Sequence, residues 1–324
     1  MSTITSEKIR DGLKEVQNAI CKFLIEETSQ NYNEDLWDYH KGKGGGITRV
    51  WEGNNDENFY LQKELSSDAS VDRLEKAGVN FSFIEGTNMP SSAVEQLKIA
   101  PDTAFIATGV SLVIHPYSPW IPTIHMNVRY FEAGDRWWFG GGVDLTPVYP
   151  QKDKVIQFHK TLKALCDRHH MPELKISYTQ GKEECDKYFY LKHRDECRGV
   201  GGLFFDQLTS ANIADRDRIW DFIHDMGMTF IQLYKPFLEK SIQLLPYTKE
   251  QREFQLYRRS RYVEFNLLFD RGTKFGIMSE GRTESILMSL PAVAKWKYNF
   301  KPTPNTPESE LTEYYLKPKN WVDL

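Results

Sequence analysis

The amino-acid sequence predicts a single α+β domain built on an antiparallel β-sheet. Segments rich in β-branched and aromatic residues follow one another between Ala77 and Phe139, and the last three leave no room for a helix between them. This spacing favours an antiparallel meander over βαβ units. The chain has 324 residues, of which 40% are apolar and 27% charged. A chain of this kind can bury a sizeable core, and we expect one domain spanning residues 1–324.

The first predicted element is an amphipathic helix over about residues 5–28. Its apolar residues recur at helical spacing: Ile9, Leu13, Val16, Ile20 and Phe23. The predicted strands of the meander then read "VNFSFIEG", "GVSLVIHP", "PTIHMNVRYFE" and "DRWWFGG", each bounded by turn residues.

The second half of the chain predicts mainly helices. Two amphipathic segments follow the meander, "DKVIQFHKTLKALCDRHH" and "ADRDRIWDFIHDMGMTFIQLYKPFLEK". Asp215 and Asp217 begin the second of them, where the helix dipole favours acids. Alternation in "RYVEFNLLFDRG" predicts one further strand, with one face formed by Val263, Phe265, Leu267 and Phe269 and the other by Glu264, Asn266, Leu268 and Asp270. "TESILMSLPAVAKW" predicts a helix, and a Pro-rich tail over about residues 300–324 follows.

One predicted strand carries a row of polar side chains. His125, Asn127 and Arg129 alternate with apolar residues, so they share one face and lie about 7 Å apart along the strand. A solvent-facing strand is one interpretation. A functional row is the other, because surface strands favour Thr, Lys and Glu over a set that offers a proton carrier, an amide and a fixed cation.

Glycines mark two further candidate regions. The run Gly140–Gly142 stands in "WWFGGGVDLTP", and no lysine or helix start follows it, which disfavours phosphate binding. We interpret the run as a side-chain-free patch that lets a flat ring approach the backbone, with Asp144 just beyond it. Arg198 is likewise followed by glycines in "CRGVGG", which suits a bulky anionic ligand or an exposed strand entry equally well.

Composition excludes several classes of partner. The net charge is −4, so the chain has no strong basic field for nucleic acid or an anionic membrane. No apolar run approaches the roughly 20 residues of a transmembrane helix, and the first residues resemble no secretory or transit sequence. Cys21, Cys166, Cys185 and Cys197 are scattered and are interpreted as reduced thiols. The expected compartment is the cytoplasm.

The histidines raise the question of a metal. The candidate ligands are His115, His125, His159 and His193. Their spacing matches no compact zinc pattern, so a metal site is not favoured, although a divalent metal stays open as an alternative.

Four long segments together resemble the oxygen-dependent coproporphyrinogen III oxidase family. They are "GVSLVIHPYSPWIPTIHMNVRYFE", "WWFGGGVDLTPVYP", "DKYFYLKHRDECRGVGGLFFD" and "RYVEFNLLFDRGTKFGIMSEGRTESILMSLP". The resemblance implies a large, curved antiparallel sheet flanked by helices on both faces, and a homodimer formed through about Tyr262–Trp296. It also implies an oxidoreductase of haem (porphyrin) biosynthesis. The expected reaction is oxidative decarboxylation of two propionates of coproporphyrinogen III to vinyl groups, which yields protoporphyrinogen IX with molecular oxygen as co-substrate and no organic cofactor.

The resemblance also assigns roles to individual positions. His125 matches the family's proton donor. Positions that match substrate contacts are Ser111, Asn127, Val128, Arg129, Glu280, Gly281 and Arg282. Positions matching residues around the macrocycle are Asp144, Arg198, Asp270 and Arg271. We expect Asp270, held by Arg271, to hydrogen-bond the pyrrole N–H groups, and His125 to move protons near the reacting oxygen.

The sequence departs from the family pattern at three places. Cys197 stands where many relatives have an arginine, Glu280 stands where they have a small or neutral residue, and a polar insertion covers about residues 53–72. Relatives are described both with a metal at the four histidine positions and without one. Two alternatives therefore stay open: a metal-dependent oxygenase that uses the histidines, and a tetrapyrrole-binding protein without catalysis.

Overall fold

The computed structural model describes residues 4–53, 73–87, 94, 100, 102–278 and 281–324. The predicted insertion over about 53–72 lies outside the described residues except for Gly53. None of the helices in the described ranges is long and apolar enough to cross a membrane.

A seven-stranded antiparallel sheet forms the centre of the fold. Its strands in chain order are β1 (Asn33–Asp38), β2 (Lys43–Glu52), β3 (Leu74–Gly86), β4 (Phe105–Pro116), β5 (Thr123–Ala133), β6 (Arg136–Thr146) and, after a helical segment, β9 (Gly201–Leu208). The order in space follows the order in sequence, β1-β2-β3-β4-β5-β6-β9. The predicted meander is confirmed. The two short strands β7 (Tyr190–Leu191) and β8 (Glu196–Cys197) pair with each other beside the sheet.

The longer helices are α1 (Ser6–Thr28), α2 (Lys152–Arg168), α3 (Tyr178–Tyr188), α4 (Asp215–Tyr234) and α6 (Lys249–Leu268). The shorter ones are α5 (Lys240–Gln243), α7 (Arg271–Met278), α8 (Thr283–Leu287) and α9 (Pro307–Glu310), the last of which continues into a π-helical turn over Leu311–Tyr315. The predictions for α1, α2 and α4 are confirmed, including the acids in the first turn of α4.

One face of the sheet is apolar and packs against α1 and α4. Ile124, Met126 and Val128 of β5 are fully buried there. The α1 side chain of Gln17 donates to the backbone carbonyls of Ile47 and Val79, which ties the helix to β2 and β3. Burial of this face supplies the main hydrophobic core.

The other face of the sheet is polar and is covered in part by α8. Asn80 of β3 donates to the carbonyl of Ser285 at 2.7 Å, and the hydroxyls of Ser285 and Thr48 lie 2.9 Å apart. Helices therefore flank the sheet on both faces. The uncovered part of the polar face is where the predicted functional residues collect.

Two predictions for the second half are wrong. The segment "RYVEFNLLFDRG" is not a strand, because Tyr262–Leu268 forms the last turns of α6. The predicted helix from Thr283 to Trp296 ends at Leu287, since Pro291 cannot continue a helix and restricts the residue before it.

Candidate functional site

The polar row of β5 lies on the partly open face of the sheet, as its alternation indicates. His125, Asn127 and Arg129 are half-buried, whereas their neighbours in the strand are buried. The register places Ser111 of β4 and Gly142 of β6 beside Asn127, and Asp144 beside His125. Directly paired residues of antiparallel strands have Cβ atoms about 5 Å apart. The sheet therefore brings residues from three strands into one cluster.

Val128 does not belong to this cluster through its side chain. It is fully buried on the apolar face, since consecutive residues of a strand point to opposite faces. A contact of Val128 with a ligand on the polar face would therefore involve its main chain.

His125, Asp144 and Arg198 form a chain of contacts that runs into the protein. The His125 Nδ1 lies 2.9 Å from Asp144 Oδ1, and Arg198 Nη2 donates to both oxygens of Asp144 at 2.8 and 2.9 Å. Burial acts to raise the pKa of the Asp144 carboxyl, but the Arg198 charge and the hydrogen bond from His125 outweigh it, and the pKa is lowered. Because an ionised carboxylate only accepts hydrogen bonds, Nδ1 of His125 is the protonated nitrogen and Nε2 is the acceptor of the neutral ring.

Arg198 is placed to hold Asp144 and lies away from the open face. Its side chain is 2% exposed, and its Nη1 donates to Asn266 Oδ1 at 2.8 Å. The guanidinium carbon lies 4.1 to 4.8 Å from the centres of three rings: Phe189, Tyr262 and Phe265. A direct contact with a substrate anion, as the sequence suggested, does not agree with this placement, so we assign Arg198 an indirect role.

Asp270 and Arg271 lie at the start of α7, near the open face. Asp270 Oδ2 accepts the backbone N–H of Thr273 at 2.6 Å, and Oδ1 accepts the hydroxyl of Tyr188 at 2.8 Å. Burial raises the pKa of the Tyr188 hydroxyl to about 12, with the Asp270 charge adding to the effect, so the phenol stays a neutral donor at physiological pH. Asp270 is thus oriented by Tyr188 and the helix start, and not by the side chain of Arg271 as expected.

The Arg271 guanidinium is directed towards the sheet. It lies 4.9 Å from the centre of the Tyr188 ring, which stacks on Phe204 at 4.1 Å. Its Nη2 is 3.6 Å from Oδ2 of Asp206 on β9. The side chain is 64% exposed, so Arg271 is accessible to an anion from solvent.

Gly140, the first residue of the glycine run, leaves room for the guanidinium of Arg129. A Cβ atom on Gly140 would lie 2.9 Å from Nη2 of Arg129, so the absence of a side chain lets this guanidinium lie against β6. Arg129 donates from Nη1 to Asn127 Oδ1 and from Nη2 to Asp206 Oδ1, both at 2.8 Å. A fixed cation thus occupies part of the patch that we expected to meet a ring directly.

Arg282 lies towards the opposite edge of the sheet. It donates to Asp35 of β1, and its guanidinium carbon is 5.9 Å from the centre of the Trp37 ring. Asp35 and Asn127 fall in the same cross-strand row, four strand spacings or about 19 Å apart. Gly281 adjoins Arg282, and the predicted contact Glu280 lies outside the described residues.

The four candidate metal ligands have separate partners. His115 contacts Thr123 Oγ1 and the Ser289 carbonyl, His159 the Tyr178 hydroxyl and the Val200 carbonyl, and His193 Glu264, while His125 contacts Asp144. Burial lowers the pKa of both His115 and His159, so these rings are neutral. No group of three or more His, Cys, Asp or Glu side chains in the described ranges could hold a metal ion.

Sequence reasoning missed three side chains of the site: Tyr188, Phe204 and Asp206. Phe204 and Asp206 alternate with buried Leu203 and Phe205 in β9, so the period-two pattern of "GLFFDQL" could have indicated them. Tyr188 carried no such signal, because it is the last residue of α3 and its partners in the site, Phe204 and Asp270, are distant in sequence.

Comparison with known proteins gives two findings. The family model described as "Coproporphyrinogen III oxidase" matches residues 8–321. A curated protein of Dictyostelium discoideum, "Oxygen-dependent coproporphyrinogen-III oxidase", is 63% identical over 322 residues, which cover 98% of this chain and 95% of the relative.

Proposed function

The chain belongs to the coproporphyrinogen III oxidase family, and on this premise we propose that it is an oxygen-dependent coproporphyrinogen III oxidase of haem biosynthesis. It converts two propionates of coproporphyrinogen III to vinyl groups with molecular oxygen as the oxidant, giving protoporphyrinogen IX. The observation that carries the proposal is the open polar sheet face, which carries His125 and the accessible Arg129, with Asp270 and the accessible Arg271 beside it at the start of α7.

The arrangement suits a flat ring with several carboxylates. Arg129, Arg271 and Arg282 each have a side chain at least 35% exposed and lie at different places on one face. Guanidinium groups pair with carboxylates in a bidentate manner, which favours arginine over lysine for this task. The stacked rings of Tyr188 and Phe204 supply an apolar surface beside Arg271. We therefore propose that propionates bind at the arginines while the macrocycle lies between them.

Asp270 is the residue that we propose to activate the ring. Its carboxylate accepts from Tyr188 and from the start of α7, and carboxylate oxygens have further lone pairs for pyrrole N–H donors. Hydrogen bonding to these N–H groups stabilises the positive charge that develops as the electron-rich ring gives up electrons. Each propionate that becomes a vinyl group loses a hydrogen from the carbon next to the ring and its carboxylate as carbon dioxide, and oxygen accepts the two electrons.

His125 is proposed to move the proton that accompanies electron transfer to oxygen. Its Nδ1 is occupied by Asp144, and the Arg198 guanidinium holds Asp144 in place. This leaves Nε2 as the nitrogen that can exchange a proton on the open face. Asp144 and Arg198 therefore orient the histidine.

One assay tests the activity. Purified protein is incubated with coproporphyrinogen III in air and under anaerobic conditions, and the porphyrins are separated by chromatography. We expect protoporphyrinogen IX and carbon dioxide only in air. A carrier without catalysis would return the four propionates intact in both, and that result would overturn the proposal.

We further propose that the reaction needs no organic cofactor and no metal. The support is that each candidate histidine ligand already has a protein partner, and that the substrate itself supplies the electrons. Activity should survive exhaustive chelation, with elemental analysis of the chelated enzyme as the check. Loss of activity with rescue by one specific ion would favour the metal-dependent alternative.

A homodimer formed through about Tyr262–Trp296 is also proposed. Exposed large apolar side chains are frequent in and just beyond this segment: Leu267, Leu268, Ile277, Met278, Trp296 and Tyr298. Apolar groups exposed close together on a soluble protein typically mark an interaction surface.

The proposed compartment is the cytoplasm. All four cysteines are buried and form no disulfide, which fits a reducing compartment. Fractionation of cells that express a tagged chain tests this proposal.

A further inference from the structure

We propose that Asp206 is a specificity-determining residue of the site, a resident carboxylate that competes with substrate carboxylates for Arg129 and Arg271. The inference rests on the proposed function, in which these arginines bind propionates. It concerns a residue for which the family resemblance gave no role.

Two guanidinium groups from different elements meet at Asp206. Arg129 of β5 donates from Nη2 to Oδ1 at 2.8 Å, and Nη2 of Arg271 at the start of α7 lies 3.6 Å from Oδ2. The Asp206 side chain is 30% exposed, so the pair of contacts lies at the open face. The geometry is the one that a propionate would adopt between the same two cations.

Both arginines keep other supports that do not depend on Asp206. Asn127 accepts from Nη1 of Arg129, and the bare backbone of Gly140 lies beneath its guanidinium. Arg271 rests over the rings of Tyr188 and Phe204. The charge of Asp206 is therefore not needed to place either cation, and its main effect is to occupy them.

Because Asp206 already pairs with Arg129 and Arg271, a ligand needs further contacts elsewhere to bind at this position. A small carboxylate must displace Asp206 with no other interaction to offset the loss. A macrocycle with four carboxylates also binds elsewhere, for example at Arg282, and can displace Asp206 at one of its arms. Competition of this kind weakens binding of every carboxylate at this position, so a ligand held only here binds too weakly to occupy the site, whereas a ligand with further contacts stays bound.

The test uses Asp206→Asn and binding of coproporphyrin III, the oxidised tetracarboxylate, which does not undergo the reaction. Asparagine keeps an oxygen to accept from Arg129 and from the Gln207 N–H, which now bonds Asp206 Oδ1 at 3.0 Å, but removes the charge. Fluorescence titration should give a dissociation constant about fivefold lower than that of the wild type, the size expected for a partly exposed charge. Binding should also depend more steeply on salt.

Two further variants separate competition from a general change in charge. Asp167→Asn removes an equally charged surface group, which pairs with Lys163 on α2 at 2.6 Å, and should leave the dissociation constant unchanged. In an Arg129→Ala, Arg271→Ala background, Asp206→Asn should have no effect, because nothing is left to compete for. Unchanged or weaker binding by Asp206→Asn, or the same tightening in that background, would overturn the inference. Turnover of the wild type in air is measured in parallel, and its failure would instead reject the proposed function.

Discussion

At the scale of single residues, Asp270 combines a structural contact with its proposed chemical role. Its Oδ2 accepts the backbone N–H of Thr273, so it caps the start of α7, while Oδ1 accepts from Tyr188. Asparagine is as good a cap as aspartate. The substitution Asp270→Asn therefore removes the charge while it keeps the helix start, which separates the two functions of this side chain.

We expect Asp270→Asn to fold normally and to lose about 100-fold or more in kcat, the range for loss of a group that stabilises a developing charge. Steady-state turnover of coproporphyrinogen III and thermal unfolding are the two measurements. Asp217→Asn is the matched control, because Asp217 also accepts a backbone N–H near a helix start, that of Ile4 at 2.7 Å, but lies on α4. Full turnover in the Asp270 variant would reject its central role.

Alanine substitutions at two glycines of the same run should affect different properties, KM at Gly140 and Tm at Gly142. At Gly140 a Cβ would meet the Arg129 guanidinium at 2.9 Å, whereas at Gly142 it would meet the backbone oxygen of Leu203 at 2.5 Å. A side chain can move aside, but a strand of the sheet cannot. We expect Gly140→Ala to displace the cation and raise KM several-fold with little change in Tm, since a partly exposed pair contributes only about 1 kcal/mol. Gly142→Ala should lower Tm instead, and an equal loss of Tm in both variants would contradict this assignment.

At the scale of elements, α6 shows where sequence reasoning fails. Its buried face carries charged side chains, among them Arg252, Arg258 and Arg259, and its exposed face ends in Leu267 and Leu268. Apolar residues such as Phe254 and Phe265 are buried together with these arginines, so no single apolar stripe marks the helix, and the alternation near its end resembles a strand. The acids that make the burial possible, Glu75 and Glu196, come from distant segments. Local periodicity cannot show such partners, because they depend on the tertiary fold.

Glu264 on α6 should make the free energy of unfolding depend on pH. Burial would raise the pKa of Glu264, but hydrogen bonds from Arg194 and His193, with the charge of Arg261 and the Trp296 N–H, lower it to about 2. The unfolded pKa of a glutamate is about 4.3. A lowered pKa contributes stability that is present above pH 4.3 and is lost as the pH falls towards 2.

Replacement of Glu264 by glutamine should therefore cost about 2–3 kcal/mol at pH 6 and progressively less below pH 4. Denaturant unfolding of both proteins at a series of pH values measures the difference. Glu313→Gln, at an exposed position of the C-terminal turn, should show no such dependence. A cost that stays constant down to pH 3 would mean that packing, and not charge, explains the role of Glu264.

At the scale of the whole molecule, the sequence predicted the antiparallel sheet. It predicted only part of the way in which the candidate site is assembled on that sheet. Period-two alternation placed His125, Asn127 and Arg129 on one face, and the meander brought Ser111 and Asp144 beside them. The contacts of Arg198, Asp270 and Arg271 depend on α3, α6 and α7, whose positions no local pattern reports. The strands therefore bring together the residues that the sequence placed on them, whereas the contacts made through the helices could not be predicted; the functional role of the cluster stays a prediction.

The prediction of one domain over residues 1–324 is testable by unfolding. The tail packs on the body, since Trp321 is fully buried and donates to the Val200 carbonyl at 3.1 Å. If the chain is one cooperative unit, far-ultraviolet and near-ultraviolet circular dichroism should give coincident transitions. Two separate transitions would indicate two domains.

The proposed dimer interface can be tested with one pair of matched lysine substitutions. Leu268, at the end of α6, is 53% exposed, and Ile213, before α4, is 48% exposed, so the two are matched in exposure but only Leu268 lies in the proposed interface. A lysine at an apolar interface loses burial and adds an unpaired charge, whereas at a solvated position it costs little. We expect Leu268→Lys to shift the sedimentation coefficient towards that of a monomer at micromolar concentration, and Ile213→Lys to sediment like the wild type. Equal behaviour of the two variants would place the interface elsewhere, because a partner copy that covers Leu268 could not accommodate the charge without loss of affinity.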